Sequence, residues 1–128
     1  MILADTSVVI QFWKAPNAAQ QKVFADGQVA ICGVTRAELY HGARNTGDLE
    51  IIMRNLDHLP EIEIVNSDWA MLGWNLFTTR TKGITVPLAD ALIATLGMAR
   101  QFEVWSYDAH FPLMQKALPG LLLFNETA

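Results

Sequence analysis

The opening stretch Ile2-Leu-Ala-Asp-Thr-Ser-Val-Val-Ile10 decides the fold class. Three successive apolar residues, with no polar alternation, read as a short strand buried on both faces. Asp5 ends that run, and a helix is expected from about Ser7 to Lys14, with Thr6 as its cap. A buried strand that passes straight into a helix is how a helix-covered parallel sheet begins.

The same alternation continues along the chain. Pro16 and Asn17 open a second helix ending near Gly27, 29–32 is a second strand, and Thr35 starts a helix carrying Glu38, Leu39 and Ala43. Gly47 is expected to interrupt before an amphipathic helix over 48–59. A third strand follows at 62–65. Ser67 then caps a helix with Trp69, Leu72, Leu76 and Phe77 that ends near Gly83, and another helix opens at Pro87, a favoured first position. The spacing predicts a fourth strand at 103–106, a short helix at 112–118 and a fifth strand at 121–124. The fold class is therefore α/β, with a parallel sheet covered on both faces. No repeat, low-complexity tract or linker divides the chain, and 128 residues that are 52% apolar suffice for one core, so 1–128 is expected to be a single domain.

The first residues lack a basic segment, and Asp5 breaks their apolar run, which makes a poor secretory signal. No segment approaches a membrane span. The one cysteine, Cys32, lies in a strand-like apolar run and reads as a core thiol, so a cytoplasmic location is expected. The net charge of −4, from 13 acids and 9 bases, argues by itself against an anionic polymer as partner. If four of those acids form one site, the other nine balance the nine bases.

Those four are Asp5, Glu38, Asp90 and Asp108. Asp90 is set in Pro87-Leu-Ala-Asp-Ala-Leu-Ile-Ala-Thr95, a helix apolar on nearly every side and hence buried. A buried carboxylate costs several kcal/mol, on the order of the penalties for unpaired ions, unless compensated. The residues three and four away are Val86, Pro87, Ile93 and Ala94, so its compensation must come from elsewhere in the chain. In open parallel sheets ligands bind beyond the carboxyl ends of the strands, where strand order reverses. Asp5 follows the first strand, Glu38 the second and Asp108 the fourth, while Asp90 begins the helix leading into the fourth.

Each acid also has a simpler reading. Thr35-Arg-Ala-Glu38 fits a capping box. Asp90 gains from its helix macrodipole, and Asp5 and Asp108 can cap the helices after them. Together, however, four neighbouring carboxylates repel and raise one another's pKa unless a cation sits among them. Oxygen-only ligation and the lack of zinc-type Cys/His spacing point to Mg²⁺, or Mn²⁺ in its place. Since Mg²⁺ keeps several waters, Asp5 and Asp90 are the expected direct ligands, with Glu38 and Asp108 acting through water or on a second ion.

The segments "ILADTSVVI", "TRAELYHGA", "TVPLADALIAT" and "VWSYDAHF", in that order, span the chain. They resemble the acidic motifs of the PIN domain, specifically the VapC-type ribonuclease toxins of toxin–antitoxin pairs. The resemblance implies a three-layer α/β/α domain with a central five-stranded parallel sheet in the order 3-2-1-4-5. It places the family's metal-binding acids on Asp5, Glu38, Asp90 and Asp108. It also implies a Mg²⁺- or Mn²⁺-dependent endoribonuclease acting on RNA, a homodimer, a cognate VapB-type antitoxin, and contact with DNA only through that antitoxin. His110 stands before Phe111 where such proteins often carry an acid, which leaves any fifth acidic ligand open. Thr6 and Ser106 match positions that commonly bear a hydroxyl.

A divalent ion can make hydroxide available near neutral pH and stabilise charge on a phosphodiester. Substrate phosphates would draw on some of Arg36, Arg44, Arg80, Lys82 and Arg100. His41, three residues after Glu38, has no second Glu-x-x-His pair and reads as a surface or hydrogen-bonded residue, as does His110, although His110 lies within reach of a phosphate bound near Asp108. A phospho-receiver lacks its late lysine here, and a haloacid-type phosphatase its second aspartate two residues after the first. The competing reading is a non-catalytic PIN-like protein-binding module, since Phe12, Trp13, Trp69, Trp74 and Phe77 offer more aromatic surface than one small core hides.

Overall fold

The computed structural model describes residues 1–126. The elements run β1 (Ile2–Ala4), α1 (Thr6–Lys14), α2 (Ala18–Ala25), β2 (Val29–Cys32), α3 (Gly33–His41) and α4 (Thr46–Leu56). They continue with β3 (Glu61–Ile62), α5 (Asn66–Thr81), α6 (Leu88–Arg100), β4 (Glu103–Trp105) and α7 (His110–Ala117). The four strands form a parallel sheet in the order β3-β2-β1-β4. Strand order therefore reverses between β1 and β4, whose carboxyl ends flank the crevice where ligands bind in such sheets.

Strand periodicity divides the core into two layers. Leu3, Cys32 and Val104 pack with buried residues of α5, α6 and α7. Ile2, Ala4, Val29, Ile31 and Trp105 point the other way, against Val8 and Val9 of α1, Leu39 of α3 and Leu56 of α4. On the first face every residue from Ala91 to Gly97 is buried, as expected for a helix apolar all round. Gly97 lets α6 lie on β4: a Cβ there would fall 2.4 Å from Val104 Cγ2.

Several boundaries differ from the sequence expectation, most of them where a different side chain bonds the first N–H groups of the helix. Asp5, not Thr6, caps α1 by accepting the Val8 N–H at 3.2 Å. Helix α3 begins at Gly33, so Thr35 lies inside it and no capping box forms with Glu38. The break before α4 falls at 42–45, where Asn45 accepts the Asp48 N–H at 2.8 Å; Gly47 is within the first turn of the helix. Likewise Ser67 lies within α5, and Asp68 accepts the Val65 N–H at 2.8 Å. That bond draws 63–65 into the helix entry and leaves β3 two residues long.

The expected fifth strand reduces to one parallel bridge between Val104 and Leu123. Val104 donates to the Leu122 carbonyl and accepts from the Phe124 N–H, both at 2.8 Å. The segment thus lies at the outer edge of β4, the position given by the order 3-2-1-4-5. Among the described residues no helix is long and apolar enough to cross a membrane.

Candidate functional site

Asp5 leaves β1 and enters α1 at the reversal point. Its backbone N–H donates to the Trp105 carbonyl of β4 at 3.0 Å, which holds the two strand ends together. Ser7 Oγ donates to Asp5 Oδ1 at 2.6 Å, and Ser106 Oγ donates to Oδ2. With the Val8 N–H as well, the carboxylate is oriented from three sides in a place that is only 5% exposed. Burial raises its pKa, and the bonds from Ser106, Ser7 and Val8 offset only part of that rise.

Asp90 occupies the first turn of α6, and its distant compensation is His110. His110 Nδ1 lies 2.9 Å from Asp90 Oδ2 and 2.9 Å from Asp108 Oδ1, a single nitrogen shared by two carboxylates. Asp108 Oδ1 also accepts the His110 N–H at 2.9 Å, which fixes the start of α7 against the loop after β4. The ligand atoms of these three half-buried residues all lie within 4.8 Å of one another. Asp90 is pushed above the usual carboxylate range, first by burial, against the His110 bond, and further by the charges of Asp108 and Asp5. Asp5 stands at the same sheet edge, since its backbone N–H bonds the end of β4 and its carboxylate bonds Ser106 two residues before Asp108.

Ser106 couples the two ends of this cleft. Its hydroxyl donates to Asp5 and accepts the Asp108 N–H at 2.9 Å. Glu38 stands further out. Its Oε1 accepts from Thr6 Oγ1 at 2.8 Å, so the residue after Asp5 ties α3 to the start of α1. The structure thus packs Asp90 and Asp108 around one imidazole, sets Asp5 close enough to act on Asp90, and links Glu38 to the rim through Thr6.

Two features were not read from the sequence. Ser7 joins the site by bonding Asp5 and by accepting the Tyr107 N–H at 3.1 Å, and the local signal for it is a hydroxyl two residues after Asp5. His110 is central rather than peripheral, so the cluster is not oxygen-only; the signal was its spacing of two from Asp108.

Of the five basic residues considered for substrate, three are engaged in ion pairs. Arg36 donates to Glu61 and Tyr40 at 2.7 and 2.6 Å, Arg44 lies 3.5 Å from Asp48, and Arg100 grips Asp68. Arg80 lies over the Phe77 ring, and Lys82 reaches the Ala117 carbonyl at 3.4 Å. His58 belongs elsewhere, in an apolar groove of about 540 Å³ lined by Phe12, Trp13, Phe24 and Leu59.

The donor set fits a divalent cation. Two carboxylates whose pKa is raised by burial and a third held beside them gather negative charge, and the one imidazole among them contacts only Asp90 and Asp108.

A parallel α/β domain with acids gathered at the switch between its first and fourth strands is the class that fold and site define. Residues 2–117 match the PIN domain family, and the chain belongs to it. No curated protein sequence matches significantly. Among solved structures, the chain is similar to one in the DNA-bound VapBC complex of Salmonella typhimurium, at 19% identity over 98% of this chain and 97% of that one, with a TM-score of 0.84. It is also similar to a chain of VapBC-1 from nontypeable Haemophilus influenzae, at 16% identity over the whole of both chains and a TM-score of 0.80. A third, in VapBC2 of Rickettsia felis bound to a promoter DNA fragment, is 20% identical over 98% of each chain with a TM-score of 0.79. At these identities the likeness is one of fold.

Proposed function

We propose that this PIN domain is a VapC-type toxin, a metal-dependent endoribonuclease that hydrolyses RNA phosphodiester bonds. The observation that carries the reading is the meeting of Asp90 and Asp108 at His110, within the field of Asp5, at the carboxyl ends of β1 and β4. Asp5 and Asp90 are the direct ligands of Mg²⁺ or Mn²⁺, with Asp108 and Glu38 acting through water or on a second ion. When bound, such an ion supplies an activated water and charge stabilisation at the phosphorus. The chain's own part is positioning. Ser7 and Ser106 fix the Asp5 carboxylate, Thr6 holds Glu38 at the rim, and Arg80 and Lys82 are the bases left for substrate phosphates. In-line attack by water leaves a 5′-phosphate and a 3′-hydroxyl, with no side-chain nucleophile.

The likeness to chains of VapBC complexes supports a VapB-type antitoxin as partner, and the DNA in two of those complexes supports contact with DNA through it; a cytoplasmic setting is part of the same proposal. Trp69, Met71, Trp74 and Phe77 of α5 are at least 48% exposed, enough apolar surface to support a homodimer. The same face favours a second reading, a non-catalytic PIN-like binding module. Cleavage of structured RNA with Mg²⁺ or Mn²⁺ separates the two. Activity that disappears with chelator and with Asp5→Asn supports the nuclease. Activity that survives either treatment rejects the mechanism, and an inert wild type that binds no metal favours the module.

A further inference from the structure

Metal sites built on carboxylates alone and sites that include an imidazole select different ions. Carboxylate oxygen suits Mg²⁺, Ca²⁺ and Mn²⁺, whereas an imidazole nitrogen adds affinity for first-row transition metals and little for Mg²⁺. The nitrogen in this cleft is placed among the ligand oxygens, not behind them. His110 Nδ1 lies 2.9 Å from Asp90 Oδ2 and 2.9 Å from Asp108 Oδ1. Adjacent ligands of an octahedral ion with bonds of 2.0–2.1 Å are about 3.0 Å apart. Nδ1 and the ligand oxygen of Asp90 therefore already have the spacing of neighbouring corners of such a shell, and Asp108 Oδ1 stands at the same distance from the nitrogen, in a group confined within 4.8 Å.

The backbone holds the ring there. The His110 N–H donates to Asp108 Oδ1 at 2.9 Å, and Asp108 N–H donates to Ser106 Oγ, which in turn bonds Asp5. His110 also begins α7, whose next residue, Phe111, is buried in the core. These contacts fix the position from which the imidazole reaches both acids.

We infer that His110 Nδ1 is itself a metal ligand, which makes the cleft a mixed nitrogen–oxygen site that prefers Mn²⁺ to Mg²⁺. A hydrogen on Nδ1 would be shared by the two carboxylates. A bound ion would need the Nδ1 lone pair: a doubly protonated ring would release its Nδ1 proton to solvent, and a singly protonated one would move its hydrogen to Nε2 by way of solvent, leaving in either case a neutral ring with hydrogen on Nε2. Asp90 and Asp108 keep their positions because the nitrogen between them turns from donor to ligand. The inference rests on the nuclease reading only in expecting a divalent ion at this cleft.

The test is pulsed electron paramagnetic resonance of the purified chain loaded with Mn²⁺, combined with Mn²⁺ and Mg²⁺ affinities from titration. Wild-type protein is expected to show ¹⁴N coupling at the bound Mn²⁺. His110→Ala should abolish the coupling and weaken Mn²⁺ binding on the order of 10–100-fold, while changing Mg²⁺ affinity less than about 3-fold. His110→Asp should restore Mn²⁺ binding without ¹⁴N coupling and narrow the preference over Mg²⁺. Bound Mn²⁺ with no nitrogen coupling in the wild type overturns the assignment, as does coupling that persists in His110→Ala. The wild-type spectrum decides without any variant having to fold. Chelator-sensitive RNA cleavage without ¹⁴N coupling sinks this inference and leaves the nuclease reading standing. Nitrogen-coupled Mn²⁺ on a chain that cleaves no RNA does the reverse, and a chain that binds no Mn²⁺ sinks both.

Discussion

Arg100, at the last turn of α6, grips both oxygens of Asp68, at the first turn of α5, at 2.8 and 2.7 Å. The same guanidinium donates to the Glu63 carbonyl at 2.8 Å, so it binds the entry of α5 to the far end of the helix that begins with Asp90. Asp68 is 3% exposed, and its bond with Arg100 holds its carboxyl below the usual range despite burial. Helix α6 thus carries one acid that lacks a strong cationic partner at its start and contacts a fully neutralised one at its end.

Arg100→Ala leaves the buried Asp68 charge unpaired. The expected loss is about 3 kcal/mol of unfolding free energy, read from urea denaturation, with Mn²⁺ affinity of the folded protein unchanged. Asp68→Asn, which removes the charge along with its partner's role, should cost less. A loss below about 1 kcal/mol in Arg100→Ala would mean that solvent already screens the pair.

Thr6 holds Glu38 by one exposed hydroxyl bond at 2.8 Å. Thr6→Val is therefore expected to alter stability by no more than about 0.5–1 kcal/mol. If Glu38 acts at the ion, the same change should lower kcat roughly tenfold at little cost in KM, about 1.4 kcal/mol in the barrier. Thr6→Ser keeps the donor and should restore the rate. A Thr6→Val enzyme as fast as wild type would place Glu38 outside the reaction.

The layers of this fold were legible because short apolar runs and helices alternate, and because Asp5 and Asp108 each follow a strand. What pattern reading missed were competitions between partners. The choice between Asp5 and Thr6 as cap of α1 depends on which side-chain oxygen is drawn back to the first-turn N–H groups, and Ser7 from within the helix and Ser106 from the loop after β4 hold the Asp5 carboxylate there. Glu38 fits a capping box locally, yet Thr6, 32 residues away, takes its side chain because α3 starts two residues early. Asp90 announced itself as a buried charge without a local partner. That His110 would be the answer is a property of how α7 returns to α6, which no spacing within either segment encodes.

Gly97 is a packing glycine. An alanine Cβ there would lie 2.4 Å from Val104 Cγ2 and 3.4 Å from the Phe102 carbonyl oxygen, so α6 must lift from β4 or Val104 must move. Gly97→Ala should cost about 1–3 kcal/mol by thermal or urea unfolding, although alanine favours the helix itself. Combining it with Val104→Ala should cost less than the sum of the two single changes, since each relieves the other. Strict additivity would show that the contact is not the cause.

The acid cleft should make stability without metal fall as pH rises. Asp5 and Asp90 have pKa values raised above 3.8, first by burial in both cases. Between the unfolded value and the raised native one, the folded chain binds more protons than the unfolded chain, so unfolding free energy decreases with pH across that window. Asp68 works in the opposite sense. Its lowered pKa contributes stability that is fully present above pH 3.8 and is lost only as pH falls through its native value, so it does not mask the effect above pH 5. A bound divalent ion requires the ionised carboxylates, and saturation near 100 times Kd adds about 2.7 kcal/mol, with the gain growing as pH rises. Thermal melts in chelator should therefore decline as pH rises from 3.8 through the raised native values of Asp5 and Asp90, and level off or rise over the same range with Mn²⁺. Asp90→Asn, which removes one of the two raised groups, should flatten the decline in chelator and melt no lower than wild type near neutrality. A chelated wild type that gains stability as pH rises through that window would mean that these carboxylates are relieved by the protein itself and need no ion.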